Sequence, residues 1–430
     1  MEHLVHEIDA VFDGNSRVLV LGTFPSPKSR ESGFFYGNPQ NRFWKVLAAL
    51  FDEPMADTID RKKCQLLRRH IALWDVLSSC SIEGASDASI ADAAPNDLRL
   101  ILDAAPIEAV FCNGAKAYEL FRKFWPQGIT AVTGPDGMDA NDGTDRTGSA
   151  NTNATGSAGE FGSTGEVHVT EATGMPPVVK LPSTSPANAS FRLNDLVDSW
   201  GALLPHLHEF EPPVLDVPDV VALEHAIDES GTSLRELMDR AGTFLAHRVH
   251  KLSPDGRIAI LCGSGNNGGD GWVAARELSA SGHVVTLISR RNPEDLKAEP
   301  ARTAALEIKP LLQGSGVETL INPEVDELVK ALEDADVVVD AILGTGFAGN
   351  ELRAPYDTWI AEANRRCAEG ALLVAADVPS GLSAQTGAAT DPCISADETV
   401  TMIVPKPALS DPRCGRVTVA GISYIEPFFQ

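Results

Sequence analysis

The stretch Ile258–Arg276, IAILCGSGNNGGDGWVAAR, constrains the fold of this chain more than any other part of it. Five apolar residues run without polar alternation, which suits a strand buried on both faces. A glycine-rich turn follows, and then a helical stretch. Strand, tight turn and helix in that order build a parallel sheet with helices on both faces, so the fold class is α/β. A turn of this kind lets backbone approach a ligand closely and aims helix N-terminal N–H groups at phosphate. It is not the dinucleotide fingerprint, Gly-x-Gly-x-x-Gly with an acidic residue after the next strand, because Asn266, Asn267 and Asp270 intrude. Their oxygens suit a hard monovalent cation or a ribose. Taken alone, the turn reads equally as strand–helix punctuation.

Two more strand ends carry acids. Val337–Gly349 reads VVVDAILGTGFAG, with Asp340 closing an apolar run before a second glycine-rich loop. Val374–Leu382 reads VAADVPSGL, with Asp377 and Ser380 after a third run. A carboxylate at the end of a buried strand is costly unless paired, hydrogen-bonded or bound to a cation. Parallel topology brings the three ends to one edge of the sheet, and a pocket accounts for all three together.

At 430 residues the chain exceeds what one core supports, so two domains are expected, over 1–208 and 217–430. Glu209–Asp216, EFEPPVLD, is acidic and proline-bearing and reads as the linker between them. Residues 131–175 are rich in Gly, Thr, Asn, Asp and Ser and nearly devoid of bulky apolar side chains, the composition of a disordered insertion. Seven scattered cysteines without a Cys-x-x-Cys pair argue against disulfides and zinc or iron–sulfur sites. No secretory signal and no membrane-length apolar run are present, so a cytoplasmic protein off the membrane is expected.

The formal charge of −25 speaks against nucleic acid until it is divided along the chain. Residues 1–130 hold 14 Lys+Arg against 17 Asp+Glu, a balance of −3; 131–210 hold 3 against 10, giving −7; 211–430 hold 18 against 33, giving −15. The first domain is nearly neutral and can present a local basic face to phosphates.

That first domain also alternates strands and helices. Strands are expected at Arg17–Leu21, Ile71–Leu77 and Ala109–Cys112, and helices at Phe43–Phe51, Leu98–Ala104, Ala115–Trp125 and Leu193–Leu204. In Val18–Trp44, VLVLGTFPSPKSRESGFFYGNPQNRFW, a strand ends at Gly22 and the chain turns through Pro25-Ser26-Pro27. Backbone donors then gather at a strand's carboxyl end, where α/β folds build sites. Phe34, Phe35 and Tyr36 offer a stacking surface for a planar base, and Asn41 an amide able to orient water. Each has a plainer reading. Asn41 serves as well as an N-cap of the helix near Arg42, Phe34 and Phe35 as core, and Asn113 as a turn residue before Gly114.

GTFPSPKS, GFFYG, NRFW, LWDVLSSCSIEGASDASI and LPSTSPANA, in that order over about 4–207, resemble the uracil-DNA glycosylase superfamily, most of all its deoxyinosine (hypoxanthine) branch. The resemblance implies hydrolysis of an N-glycosidic bond in damaged DNA, of hypoxanthine or a uracil-type base flipped from the duplex, without a cofactor. Phe24 stands where the superfamily often has Asp or Asn, and Leu181 where it often has His. Asn41 is then left to position water, backbone donors around Gly22–Ser26 to stabilise the leaving base, Phe35 to stack on it, Asn113 to read its edge, and the loop from Ser183 to Asn188 to press into the minor groove.

GNNGGDG, DAILGTG, DVPSGL, ISADETVT and Lys406, over about 218–430, resemble the NAD(P)HX epimerase family, the YjeF N-terminal type, which has a Rossmann-like fold. The resemblance implies three-layer α/β/α architecture in both halves. It also implies interconversion of the R and S hydrates of NADH and NADPH, with a separate dehydratase as pathway partner and a homodimer through this domain. Asn266, Asn267, Gly268, Gly269 and Asp270 would hold the hydrated dinucleotide, together with Gly344, Thr345, Gly346, Phe347, Ala348, Gly349, Asn350 and Asp377. Asn267, Asp340 and Ser380 would bind potassium, and Asp340 or Asp377 would move the proton. The leading expectation is therefore a bifunctional enzyme. Its rivals make one half non-catalytic: the epimerase fold as a dimerisation or RNA-associated scaffold, or the glycosylase fold as a DNA-binding module.

Overall fold

The computed structural model describes residues 1–84, 86–126, 175–349 and 351–430; the expected insertion, up to residue 174, and Asn350 lie outside the described residues. The chain divides into two compact units. One comprises 1–41, 72–192 and 198–206; the other comprises 42–71, 193–197 and 207–430.

The first unit is built on strands β1 (Glu2–Val5), β2 (Val18–Gly22), β3 (Ile71–Asp75), β4 (Leu77–Ile82), β5 (Ala91–Pro95), β6 (Ala109–Asn113) and β7 (Val178–Leu181). A four-stranded sheet runs β3-β2-β6-β7, with β2–β6 and β6–β7 parallel. Every residue of β2 and β6 is buried, as their unbroken apolar runs require. Leu19, Leu21, Val110 and Cys112 share one core with Leu120 and Phe121 of helix Ala115–Phe124. A second sheet, β1-β4-β5, is antiparallel. The sequence expectation is a mainly parallel sheet, to which this antiparallel one is an addition. The polar alternation of LSSCSI in β4 is that of a strand with one wet face, which antiparallel pairing tolerates.

The second unit carries β8 (Ile258–Cys262), β9 (Val285–Ser289), β10 (Glu318–Ile321), β11 (Val337–Ala341), β12 (Leu372–Ala376), β13 (Glu398–Met402) and β14 (Arg416–Ala420). They form one sheet of order β10-β9-β8-β11-β12-β13-β14, parallel at every pairing. Successive residues feed opposite cores. Ile258, Ile260, Val337, Val339 and Val374 join one face, and Ala259, Leu261, Val338, Leu373 and Ala375 the other. Trp272 and Trp359 lie fully buried on those two faces, each contributing several kcal/mol at about 25 cal/mol per Å² of apolar surface. Helix Leu234–Leu252 begins where the capping signal places it: Ser233 Oγ accepts from Glu236 N–H at 3.2 Å. The proposed linker is not free of the fold. Phe210 and Leu215 pack against the core of this unit, and Leu215 N–H donates to Pro405 O. No helix among the described residues is long and apolar enough to cross a membrane.

Strand order reverses direction between β8 and β11, the central neighbours. Loops leaving those two strands in opposite directions open a crevice at their carboxyl ends.

Candidate functional site

The crevice is a cavity of about 940 Å³. Its floor is made possible by glycine: a Cβ on Gly263 would stand 1.9 Å from Ile342 O, and one on Gly268 would stand 2.2 Å from Gly263 O. Only bare backbone lets β8, the helix Asn266–Ala280 and the loop after β11 converge this closely.

Of the expected residues, Asn266, Asn267, Asp270 and Asp377 line the cavity, as do Gly344, Thr345, Gly346, Phe347 and Ala348. Gly268, Gly269 and Gly349 are not among the lining residues; their Cα positions pack against Gly263, against Met238 and Ala301, and against Ser383 and Ala388 respectively. Asp340 and Ser380 lie beneath the wall, both fully buried.

Asp377 sits at φ +67°, a strained position for a residue with a side chain. It is held there by four donors. Its Oδ1 accepts from Lys406 Nζ at 2.7 Å, Thr401 Oγ1 at 3.3 Å and Met402 N–H at 3.4 Å, and its Oδ2 from Thr345 N–H at 3.2 Å. Lys406, 2% exposed, gives its other two hydrogens to Thr401 Oγ1 at 3.0 Å and Met402 O at 2.7 Å. The sequence reading named Lys406 without assigning it this role. Parallel pairing of β12 with β13 carries it beside Asp377.

Asp340 is closed differently. Ser380 Oγ–H donates to its Oδ1 at 2.6 Å, Ile342 N–H to the same oxygen at 3.2 Å, and Ser380 N–H to its Oδ2 at 2.8 Å. Burial pushes its carboxyl up to about 6, and the Ser380 bonds oppose that. Asn267 joins this group through Leu343: its Nδ2–H donates to Leu343 O at 2.9 Å, and Ser380 Oγ lies 3.2 Å from the same carbonyl. Asn267 Oδ1 is buried without a hydrogen-bond partner. An orphaned amide oxygen among a carboxylate, a hydroxyl and a carbonyl is an oxygen-only donor set, which fits a hard monovalent cation. Among the described residues no cluster of three His, Cys, Asp or Glu offers a site for a softer metal.

Four further acids line the cavity, Glu224, Asp270, Glu299 and Glu351. Asp270, 9% exposed, has its carboxyl driven well above the usual range by burial and by the charges of Asp377 and Glu224. Glu224, on the helix Val217–Glu229, is raised by burial and by Asp377.

In the first unit, the rim of the four-stranded sheet brings together a different set. His6 Nε2 lies 2.9 Å from Asp75 Oδ2, both side chains almost fully buried. Ile8 N–H donates to His6 Nδ1, so the imidazole proton sits on Nε2 and is donated to the carboxylate. The rings of Phe24, Phe35 and Trp74 pack about His6 at centroid distances of 5.9, 6.1 and 6.4 Å. A Cβ on Gly22 would stand 2.1 Å from Asp75 Oδ1 and 3.1 Å from the Tyr36 hydroxyl, so β2 ends directly against both. Burial and the Asp75 charge push the Tyr36 phenol upward. Thr23 Oγ1–H donates to Asp87 Oδ2 at 3.2 Å.

Phe35 is buried at 3% exposure. Asn113 is engaged on both sides of its amide, donating to Thr184 Oγ1 and accepting from Thr184 N–H, both at 3.0 Å. It ties the end of β6 to the loop bearing Ser183, whose Oγ accepts from Ser185 N–H at 3.2 Å. Asn41 is half-buried two residues before helix Phe43–Phe51, whose cap position is Arg42. His6 carried no sequence signal. Asp75 did: it closes an apolar strand, as Asp340 does.

Two family models match the chain: the uracil DNA glycosylase superfamily over residues 10–203, and the YjeF-related protein N-terminus over 234–408. An NAD(P)H-hydrate epimerase of Cenarchaeum symbiosum is 36% identical over 41% of this chain and 79% of its own length. The chain belongs to the NAD(P)H-hydrate epimerase family. It joins to that module a domain of the uracil DNA glycosylase superfamily, so both halves have the α/β folds expected. An NAD(P)H-hydrate epimerase of Rhodopirellula baltica is 36% identical over 40% of the chain and 66% of its own length. The bifunctional NAD(P)H-hydrate repair enzyme Nnr of Escherichia coli is 37% identical over 45% of the chain, but only 35% of that longer enzyme is spanned.

Proposed function

We propose that the second half interconverts the R and S hydrates of NADH and NADPH, and that the first half is a DNA glycosylase removing hypoxanthine or a uracil-type base. The observation that carries the epimerase reading is the buried Asp377–Lys406 pair on the wall of a cavity at the strand-order switch point.

In the hydrate, the hydroxyl-bearing carbon lies beside the ring nitrogen. Inversion can proceed there by breaking the C–O bond with a proton supplied to the oxygen and the nitrogen lone pair forming C=N, after which water adds to the other face and gives up a proton as the nitrogen recovers its pair. Asp377 is the better placed of the two candidate acids to act on this ring. It lines the cavity, whereas both oxygens of Asp340 are enclosed by Ser380 and Ile342. Lys406 fixes Asp377 in place facing the positive charge that develops on the ring. Asn266, Asp270 and the loop from Gly344 to Ala348 bind the dinucleotide, with Gly268, Gly269, Gly349 and Asn350 completing that stretch. Asn267, Asp340, Ser380 and Leu343 O would hold potassium, which when bound supplies fixed positive charge beneath the two ligand loops. A separate dehydratase would consume the product in the cytoplasm.

In the first half, Asn41 orients water, Phe35 stacks on the flipped base, and backbone N–H groups over Gly22–Ser26 stabilise it as it leaves. The scaffold alternatives are separated by one experiment. The full chain is given a single purified hydrate epimer, and separately duplex DNA containing hypoxanthine or uracil. Appearance of the other epimer and release of free base support the two activities. Failure of either, with the chain folded, assigns that half to binding alone.

A further inference from the structure

Arg353 lies just beyond the loop assigned to the dinucleotide, yet it lines the cavity. The lining carries five carboxyls against three basic side chains, His225, Arg353 and Lys406. Such a wall repels the phosphates of a dinucleotide unless positive charge is set aside for them. Lys406 is already spent, its three hydrogens going to Asp377, Thr401 and Met402. An imidazole such as that of His225 lacks a guanidinium's permanent charge. Arg353 is exposed, and its guanidinium makes no hydrogen bond or ion pair among the described residues. Its place is set by Tyr356, whose N–H donates to Arg353 O at 3.0 Å as the helix Tyr356–Ala368 begins. The Tyr356 hydroxyl in turn accepts from Ser264 N–H at 3.2 Å and lies 3.0 Å from Ser264 Oγ. Arg353 is thereby carried beside the turn from which the helix Asn266–Ala280 starts. That helix has Gly265 at its cap position, no side chain capping it and no acid in its first turn, so its opening amides remain for an anion. A Cβ on Gly265 or on Gly346 would meet no heavy atom within 4 Å, which leaves open space against both turns. Further along the same helix, Asp270 lines the cavity at 9% exposure with no hydrogen bond or ion pair among the described residues. A buried carboxyl of that kind is satisfied only by a ligand or a proton.

We propose that Arg353, with the opening amides of the helix Asn266–Ala280, holds a phosphate of the hydrated dinucleotide. This rests on the epimerase reading given above for the identity of the ligand, and adds a binding residue to it. The guanidinium offers two parallel N–H donors to two phosphate oxygens. An anchor on the unreactive part of the substrate leaves the ring itself to Asp377. The contact is the same for both epimers and does not change as the C–O bond breaks, so it contributes to binding and not to the chemical step. The hydrates of NADH and NADPH share a pyrophosphate, and the second carries a further phosphate on its adenosine ribose. A planar fork accepts either group.

The test uses the full chain and two readouts. Calorimetry measures binding of ADP-ribose, which keeps the pyrophosphate without the nicotinamide, and of its 2′-phosphate. Kinetics follows one purified epimer of each hydrate. Arg353→Gln should weaken ADP-ribose binding and raise KM for both hydrates by about tenfold or more, with kcat within about threefold. Arg353→Lys, which keeps the charge and loses the fork, should recover part of that loss. A loss confined to the 2′-phosphorylated ligands places the guanidinium on that group and makes Arg353 the residue that favours the NADPH hydrate. Unaltered affinity and KM in Arg353→Gln, for both kinds of ligand, overturn the phosphate contact, as does a fall in kcat with KM unchanged. A parent inert toward both hydrates that still binds ADP-ribose through Arg353 overturns the epimerase reading and leaves the phosphate site standing.

Discussion

Asp75 and Asp377 each stand at the carboxyl end of a buried strand, one in each compact unit, and they differ in what faces them. Asp75 accepts from a neutral imidazole, is walled by Phe24, Phe35 and Trp74 through that imidazole, and has Gly22 pressed against its second oxygen. Asp377 is matched by an ammonium and opens on a cavity of about 940 Å³. An acid at a strand end stands in both sheets, and its neighbour decides the chemistry. Asp340 makes the point within one sheet. It lies on the strand beside that of Asp377, yet its oxygens already accept three hydrogen bonds, two from Ser380 and one from Ile342.

The comparison is broken most directly by removing one charge from each half. Asp377→Asn leaves Lys406 buried beside a neutral amide, so it should cost roughly 3–5 kcal/mol in denaturant unfolding. Epimerisation should fall by about 100-fold or more in the same variant; a variant as stable and as active as the parent would show that the pair holds nothing together. Asn41→Ala should leave folding intact and reduce hypoxanthine release by about 100-fold or more, followed by strand cleavage at the abasic site. Unchanged release removes Asn41 from the mechanism. Replacing potassium by choline at constant ionic strength should lower the epimerase rate by about tenfold or more, while glycosylase activity is untouched. A rate indifferent to the cation would contradict the oxygen cluster at Asn267. Gly22→Ala forces a methyl onto Asp75 Oδ1 and should destabilise the first unit by about 1–3 kcal/mol, read as earlier hydrogen exchange in β2 and β3. Ser233→Ala removes one helix cap and should cost only about 1 kcal/mol, seen as a small downward shift of Tm.

Much of this was readable in advance because apolar runs, glycine turns and caps are local. The helix Phe43–Phe51 falls on the residues its periodicity indicates, and β8, β11 and β12 on their unbroken apolar runs. Helix Leu98–Ala104 was overlong: only Arg99–Leu102 is helical. What the chain conceals is partnership across strands. Lys406 is 29 residues from Asp377, and sheet order alone brings them together. His6 and β1 are quieter still. Glu2–Val5 is mostly exposed, has no apolar alternation, and becomes a strand because β4 offers an edge. Glu224 sits in a helix that buries only Val220, Leu223 and Ile227, and nothing in its spacing marks it as facing a cavity.

The complete engagement of Lys406 has a chemical corollary. An amine becomes a nucleophile only through a lone pair, and a nitrogen whose three hydrogens are each held by an oxygen offers none to aldehydes or acyl donors. The cavity thus carries a lysine that should ignore lysine-seeking reagents, a fixed counter-charge and not a nucleophile.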